Sequence, residues 1–488
     1  PLCAYLSQTV GGRLVKLDVS REETFVCNRV RHAIRTHLIS YVRPNGEIAA
    51  RKRRSAFPIR GRYASHGHSI GAKALGSFPQ LYPCENFEGD VYTVFTNKPV
   101  SGAMRGYGIP QAMFAMESHT DDIAVKLGIP PYEYRWKYLM PKRIYGWIFQ
   151  KNVNYYDTFR ECMEKGSVSV DYERKRREYA QQTGDIRKGI GMAAFWYNTG
   201  VWPISLETSS CRMVMNQDGS IQVQVGETEI GQGADTAFAQ MAAETLGIPF
   251  DMVHVMTMQD TDITPFGLGA YASRQTYMAG FSIRQTAELL KSHVLDTAVE
   301  MTRQMKENLD IIDGNIVRAT DGSVLMSLGE LATEKLYSLT NCGHLTAEST
   351  YQIKNNAYSF GCTFAEVEVD IPGCRATLTN IVNVHDCGRL INPALAEAQV
   401  HGGMSMGIGF GLSEELKFDE KTGKPLNNNL LDYKMATFED HPDLHGEFVE
   451  NYEPTSAYGT KALGEPPVCS VAPAIRNAIF KCNRIRAQ

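Results

Sequence analysis

Several things are scarce in this sequence. Nowhere does an apolar run approach the roughly 20 residues of a bilayer-spanning helix, and the first residues do not read as a charged-then-apolar leader. A membrane-spanning or secreted protein is therefore not expected. Charge of one sign is not in excess either. The 50 Lys+Arg against 54 Asp+Glu leave −4, so attraction to nucleic acid or a membrane surface by bulk charge is not expected. The 11 cysteines, scattered from Cys3 to Cys482, include no CxxC pair. That fits reduced thiols in a cytoplasmic protein better than a disulfide frame, and it speaks against zinc or iron–sulfur sites within the chain. Repeats and low-complexity tracts are missing as well. What is present, 43% hydrophobic residues over 488 positions, suffices for large cores and about three domain equivalents.

The first part mixes hairpins with helices. Leu38 to Val42 alternates like a strand, Pro44-Asn45-Gly46 is turn chemistry, and Glu47 to Ala50 begins the return. Glu117 to Leu127 and Tyr132 to Tyr138 carry helical spacing, as does Asp157 to Lys165 more weakly. Asp171 to Lys188 is rich in charge and almost without large apolar side chains, so it reads as a solvated helix or linker. It divides residues 1–170 from 189–488. Downstream, Cys211 to Met215 and Ile221 to Val225 flank the turn Asn216–Ser220, and the second strand runs through GETEIGQG into a helix, Ala234 to Leu246. A similar order recurs at Leu378 to Val384, where HDCG leads to a helix from Pro393. The mixture predicts an α+β protein.

Three glycine-rich loops carry the candidate chemistry. In Ser101–Gln111 (SGAMRGYGIPQ) the glycines let main chain approach a ligand closely, although such a loop alone is more often a tight turn. Gly226–Gly233 lies between a strand and a helix, where free amides and the helix dipole favour an anionic or polar ligand, and it lacks the third glycine of a dinucleotide fingerprint. Tyr458–Pro467 (YGTKALGEPP) holds Glu465 between a glycine and two prolines, so its carboxylate sits in irregular backbone, open to partial burial and a role as general base. Other motifs read blandly. Gly403–Gly407 matches the hydrolase GxSxG, but Ser405 falls in a helical stretch rather than after a strand. Arg51–Arg54 reads as a solvated hairpin edge, and His66-Gly-His68 as a polar loop without a third metal ligand.

Taken in order, SGAMRGYGIPQ, TEIGQG, GAYASRQT, HDCGRLINP followed by Gln399, and TKALGEPP resemble the molybdenum-binding subunit of the xanthine dehydrogenase and aldehyde oxidase family. Within it, FWYNTGVWPISLETSS (195–210) and GAYASRQTYMAG resemble the bacterial xanthine dehydrogenase large subunits most. The resemblance implies two mixed α/β molybdopterin-binding domains that sandwich a molybdenum-pterin cofactor (molybdopterin or its cytosine dinucleotide), with no side-chain ligand to the metal. Carried over motif by motif, it places the main chain of Arg105 and Ala272 beside the molybdenum. It gives Gly231, Gln232, Ser273, Gln275, Gln399 and Gly464 to the pterin, Tyr107 to a stacking surface for substrate, and Glu465 to the catalytic base. Lys73 falls where purine-oxidising relatives use arginine to steady negative charge on the ring; lysine keeps the charge but loses the bidentate fork.

The implied reaction is hydroxylation of a purine of the hypoxanthine or xanthine type at a carbon beside a ring nitrogen, using water-derived oxygen. The implied partners are an iron–sulfur subunit and an FAD subunit that take the electrons, in a complex able to dimerise. The Lys73 departure supports a second reading, an aldehyde or another N-heterocycle as substrate. A third follows from the start at Pro1, before which the family's glycine- and phenylalanine-rich cofactor loop is expected, and from a C-terminal segment expected after the last helix. On that reading the chain is an incomplete cofactor-binding and interface chain, inactive by itself.

Overall fold

The computed structural model describes residues 2–60, 67–139, 143–145, 151–153, 156–201 and 207–483. Near the start, β1 (Arg35–Val42) and β2 (Ile48–Arg60) form the expected hairpin. Gly46 takes φ +95° in its turn, and Asn45 Oδ1 accepts from Glu47 N at 3.1 Å. The return strand runs on well past Ala50 and is not an edge, because β3 (Asn86–Thr96) pairs parallel to its other side. The reading of Arg51–Arg54 as a solvated edge is therefore corrected. With side chains alternating across the sheet, Arg51 and Arg53 are buried while Lys52 and Arg54 face out. The two buried cations lie under the C-terminal end of α1 (Gly67–Gly76) and the turn after it: Arg53 Nη1 donates to Ala74 O at 2.8 Å and Arg51 Nη1 to Phe78 O at 3.4 Å. The negative end of a helix dipole suits them there.

Two helices, α2 (Ile109–Lys126) and α3 (Pro131–Tyr138), cover this first sheet. They carry a buried network in which Arg135 pairs with Glu117 (2.9 Å) and Asp121 (2.8 Å), and Glu117 Oε2 also accepts from Ala194 N at 2.7 Å. That last bond reaches β4 (Ile186–Asn198), whose unbroken apolar run is buried on both faces. The charged segment before β4 contains a helix, α4 (Tyr172–Tyr179), docked on the second part of the chain: Lys175 Nζ lies 2.5 Å from Glu366 Oε2, Tyr179 OH donates to Glu366 Oε1, and Tyr172 is buried. No strand pairing among the described residues crosses 171–188, but one apolar core does, joining Phe78 and Met113 to Phe195, Phe360 and Val384.

Two four-stranded sheets follow among the described residues. One is built from β5 (Thr208–Met215), β6 (Ile221–Val225), β7 (Val253–Val255) and β8 (Thr346–Gln352), in the order β8-β5-β6-β7. The turn at 216–220 is as expected, with Asn216 N donating to Ser220 O at 2.8 Å. Helices α5 (Ala234–Leu246) and α6 (Gln275–Thr302) bury their apolar faces on this sheet. In the other, β4 pairs antiparallel with β9 (Tyr358–Asp370), which pairs with β10 (Arg375–Asp386), which lies parallel to β11 (Leu444–Phe448). Helices α7 (Pro393–Leu412) and α8 (Val471–Asn483) pack on that sheet. A Cβ at Gly189 or Gly191 would stand 2.2 Å from the α8 backbone, so only glycine allows this approach. The architecture is the expected mixed α/β one.

Candidate active site

The loop before α2 turns through three successive left-handed residues, Gly106 (φ +95°), Tyr107 (φ +45°) and Gly108 (φ +89°). A Cβ at Gly106 would lie 2.5 Å from Pro110 Cγ, so the turn requires glycine there. Arg105, just before it, reaches across to the far end of the sequence: its Nε donates to Gly464 O at 2.6 Å and its Nη2 to Gln399 O at 2.8 Å. The first and third glycine-rich loops are thereby joined, with Gln399 presented by α7. Ser405 sits inside α7, so no strand-to-helix elbow exists at that position. His66 lies outside the described residues, as do 202–206 of the FWYNTGVWPISLETSS stretch.

Glu465 lies at the centre of the constellation, half-buried, with Pro466–Val468 making one helical turn after it. Its Oε1 accepts from Gly106 N at 2.9 Å. Its Oε2 accepts from Tyr197 OH at 2.5 Å and from Ser273 Oγ at 3.2 Å, while its own N–H donates to Ser273 Oγ at 2.8 Å. Behind Tyr197 stands Lys73, whose Nζ donates to the Tyr197 hydroxyl at 3.3 Å and lies 4.4 Å from that ring and 6.0 Å from the Tyr107 ring. Ser69, one turn earlier on the same face of α1, shares a 2.6 Å hydrogen bond with the Tyr107 hydroxyl. Burial pulls the Lys73 ammonium below its ordinary value, with Glu465, Cys469 and Glu207 opposing. Burial and the Glu465 charge together push the Tyr197 phenol well above its own.

The opposite wall comes from the loop ahead of α6. Ala272 (φ +50°) and Ser273 (φ +51°) are a left-handed pair without glycine, a conformation that persists only when its surroundings hold it. The hold is Arg274, completely buried, whose Nε donates to Glu207 Oε2 at 2.5 Å and whose Nη1 donates to Glu227 Oε2 at 2.9 Å. Gly269 N donates to the same Glu227 oxygen at 3.0 Å, and Gly200 N donates to Ala272 O at 2.9 Å. Next to it Gln275 Oε1 accepts from Gln232 Nε2 at 2.6 Å, and both side-chain amides donate to Thr228 O. The start of α5 differs from expectation. The amides expected to wait for an anionic ligand are taken within the loop, because the Glu229 carboxylate accepts from Gly231 N (2.6 Å), Gly233 N (3.1 Å) and Asp235 N (3.1 Å). Burial opposes ionisation of Glu229, but these donors outweigh it and hold the carboxyl below its usual range.

The structure therefore brings Lys73, Arg105, Tyr107, Ser273, Gln399, Gly464 and Glu465 into one bonded neighbourhood, with Ala272, Gln275 and Gln232 adjoining through Ser273 and Gly231 next along the chain. A pterin, a flat ring system edged with donors and acceptors, fits this set. The neighbourhood offers glutamine amides, a serine hydroxyl and loop main chain, and among the described residues no three His, Cys, Asp or Glu side chains gather as a metal centre would need. There is also room. The nearest atoms to a Cβ at Gly464 would be Ser273 Oγ at 3.4 Å and Gln399 Oε1 and Ser273 Cβ at 3.9 Å, and one at Gly231 would meet nothing among the described residues within 4 Å. Several participants had not been singled out from sequence. Arg274 and Glu227 stood inside quoted motifs and Tyr197 inside FWYNTG, but nothing in the pattern marked them as buried and convergent.

The same assignment comes from comparison with known proteins. The family described as molybdopterin cofactor-binding domain matches residues 165–442, and a second family of that description matches residues 1–139. The chain belongs to this molybdopterin-binding family. It is similar to the xanthine dehydrogenase molybdenum-binding subunit of Escherichia coli O157:H7, 45% identical across 98% of this chain and 64% of that protein. It is also similar to the nicotine 6-hydroxylase large subunit of Paenarthrobacter nicotinovorans, 28% identical over 80% of this chain and 49% of that one. Among solved structures, quinoline 2-oxidoreductase from Pseudomonas putida 86 superposes with a TM-score of 0.90 at 26% identity, over 99% of this chain and 63% of that one. The chain thus spans between about half and just under two thirds of the length of such relatives.

Proposed function

We propose that the chain is the molybdenum-binding part of a hydroxylase that oxidises a purine of the hypoxanthine or xanthine type at a carbon beside a ring nitrogen, using water-derived oxygen. Glu465 carries the reading. When bound, the molybdenum-pterin supplies the two-electron oxidation that such a hydroxylation requires. Arg105 and Ala272 would bring main chain up to the metal, and Gly231, Gln232, Ser273, Gln275, Gln399 and Gly464 would hold the pterin.

The chain's own contribution follows from the carboxylate. Each of its oxygens can accept two hydrogen bonds. Oε2 already has two donors, Tyr197 and Ser273, whereas among the described residues Oε1 has Gly106 N–H alone. Oε1 keeps the lone pair that accepts the proton released from the attacking oxygen. Tyr107 offers its ring face to the substrate, and Lys73 offers positive charge to the negative charge that develops on a purine ring. The electrons then pass to an iron–sulfur subunit and an FAD subunit in a cytoplasmic assembly.

The purine reading draws on the 45% relative and on this polar wall of lysine, tyrosine and serine groups. An aldehyde or another N-heterocycle is the second reading, favoured by lysine rather than arginine at position 73. The test is Glu465→Gln in the complete enzyme, assayed on hypoxanthine, xanthine and an aldehyde. Molybdenum content is expected to stay and kcat to fall at least about 10²-fold. Retention of more than about a tenth of kcat would overturn the assignment of the base, and a preference for the aldehyde by the unsubstituted enzyme would overturn the purine reading.

A further inference from the structure

Arg31 has no place in the site as described so far, yet it is bonded to it. It follows the helix Arg21–Cys27, where Val30 N donates to Val100 O and Gly102 N to Val30 O, both at 3.1 Å, so residues 30–32 run beside the start of the Arg105 loop. From there the Arg31 guanidinium extends along the loop. Its plane lies 4.8 Å from the Phe410 ring of α7, Nη1 approaches Gln111 Oε1 at 3.5 Å, and Nη2 donates to Arg105 O at 2.6 Å. Burial lowers this group to about 10, against the opposing charges of Cys469, Glu465, Glu414 and Tyr433. The shortest bond of a desolvated guanidinium is thus spent on one main-chain carbonyl.

That carbonyl belongs to the same peptide unit as Gly106 N–H. The unit is planar and trans, so its C=O and N–H point in opposite directions. Arg31 holds the oxygen on one side while the N–H on the other side meets Glu465 Oε1. A glycine follows, and glycine accepts either sign of φ, so this peptide could rotate by half a turn at little local cost. Rotated, it would aim a carbonyl at a carboxylate. A charged donor on the oxygen opposes that rotation and polarises the N–H besides.

We infer that Arg31 is a positioning residue that locks the Arg105–Gly106 peptide in the orientation which fixes Glu465 Oε1. The inference rests on the reading of Glu465 as the base, but its test separates the two. Arg31→Met keeps the stem against Phe410 and removes the donors, and Arg31→Lys keeps one charged donor. In the complete, cofactor-loaded enzyme, Arg31→Met is expected to retain molybdenum and to lose about ten- to a hundredfold in kcat, the size of a hydrogen bond from a charged donor, with KM changed little. Arg31→Lys is expected to recover part of the loss. A crystal structure of Arg31→Met is expected to show the 105–106 peptide turned, with Gly106 N beyond 3.5 Å from Glu465. In a Glu465→Gln background the Arg31→Met loss should vanish, since its effect runs through that carboxylate. An unmoved peptide overturns the lock, and so does the same fold loss in both backgrounds, which marks a merely structural role. Unchanged turnover in Glu465→Gln alone overturns the base instead, and the peptide orientation in Arg31→Met still decides on Arg31.

Discussion

Replacing Arg274 by methionine tests whether the left-handed Ala272–Ser273 pair is held from beneath. The substitution keeps much of the stem but removes every guanidinium donor. Among the described residues, the fully covered Glu207 carboxylate is left with Val201 N–H, and that of Glu227 with Gly269 N–H and the Ser209 hydroxyl. Removing one partner of a buried ion pair costs about 3–5 kcal/mol. At about 1.4 kcal/mol per factor of ten, the population of locally opened molecules should rise by roughly one hundred- to several thousandfold. Two left-handed residues without glycine, at about 1–3 kcal/mol each, supply the drive to open. The sign of the pH dependence follows from Glu227. Burial already holds its carboxyl above the usual range despite Arg274, and losing the guanidinium moves it further up. A carboxyl raised in the folded state stabilises that state fully below its unfolded value, and the benefit is lost as pH rises through the folded value. The penalty should therefore be smaller near pH 5 than near pH 8. Hydrogen exchange of the amides at 267–275, measured at both pH values, reads it directly. Protection within about threefold of the unsubstituted protein, or a penalty that does not change with pH, would refute the clamp.

Three further outcomes are expected. Lys73→Met should reduce purine oxidation more than aldehyde oxidation, and equal losses on the two substrates would make Lys73 merely structural. Gly464→Ala places a methyl 3.4 Å from Ser273 Oγ, a contact the fold tolerates; thermal stability should be kept while molybdenum per chain falls, and full cofactor content would show that the cradle lies elsewhere. We place the division between the two cofactor-binding units at 171–188, so limited proteolysis should cut first in the exposed stretch 181–186, after the docked α4; first cuts elsewhere would move the boundary.

How much of this was legible in the sequence differs from residue to residue for physical reasons. Glu465 was legible because glycine and two prolines forbid regular structure around it, so a carboxylate there stands out. The hairpin at 216–220 and the helices at Glu117 and Ala234 were legible because local periodicity specifies them. Arg51 and Arg53 were misread, because a run of four basic residues looks solvated until a third strand turns a hairpin arm into a central one. The amides of the Gly226–Gly233 loop were read as free, because a motif does not say whether its own acid, here Glu229, or a ligand's will reach the helix amides first. Tyr197 and Arg31 were not legible at all. Tyr197 sits in an apolar strand that looks like ordinary core, and Arg31 acquires meaning only from a carbonyl 74 residues away.

The bond from Arg105 to Gly464 joins residues 359 positions apart. At roughly 5–20 residues per second, a ribosome needs on the order of 20–70 s to travel from one to the other. For most of that interval the first loop has neither Gln399 nor Glu465 to meet, whatever the local hairpins and helices have already done. On the proposed reading of the site, the full set of pterin-holding loops exists only once synthesis has passed residue 465. Whatever delivers the group would have to recognise a chain that already carries both loops rather than one that still lacks the second.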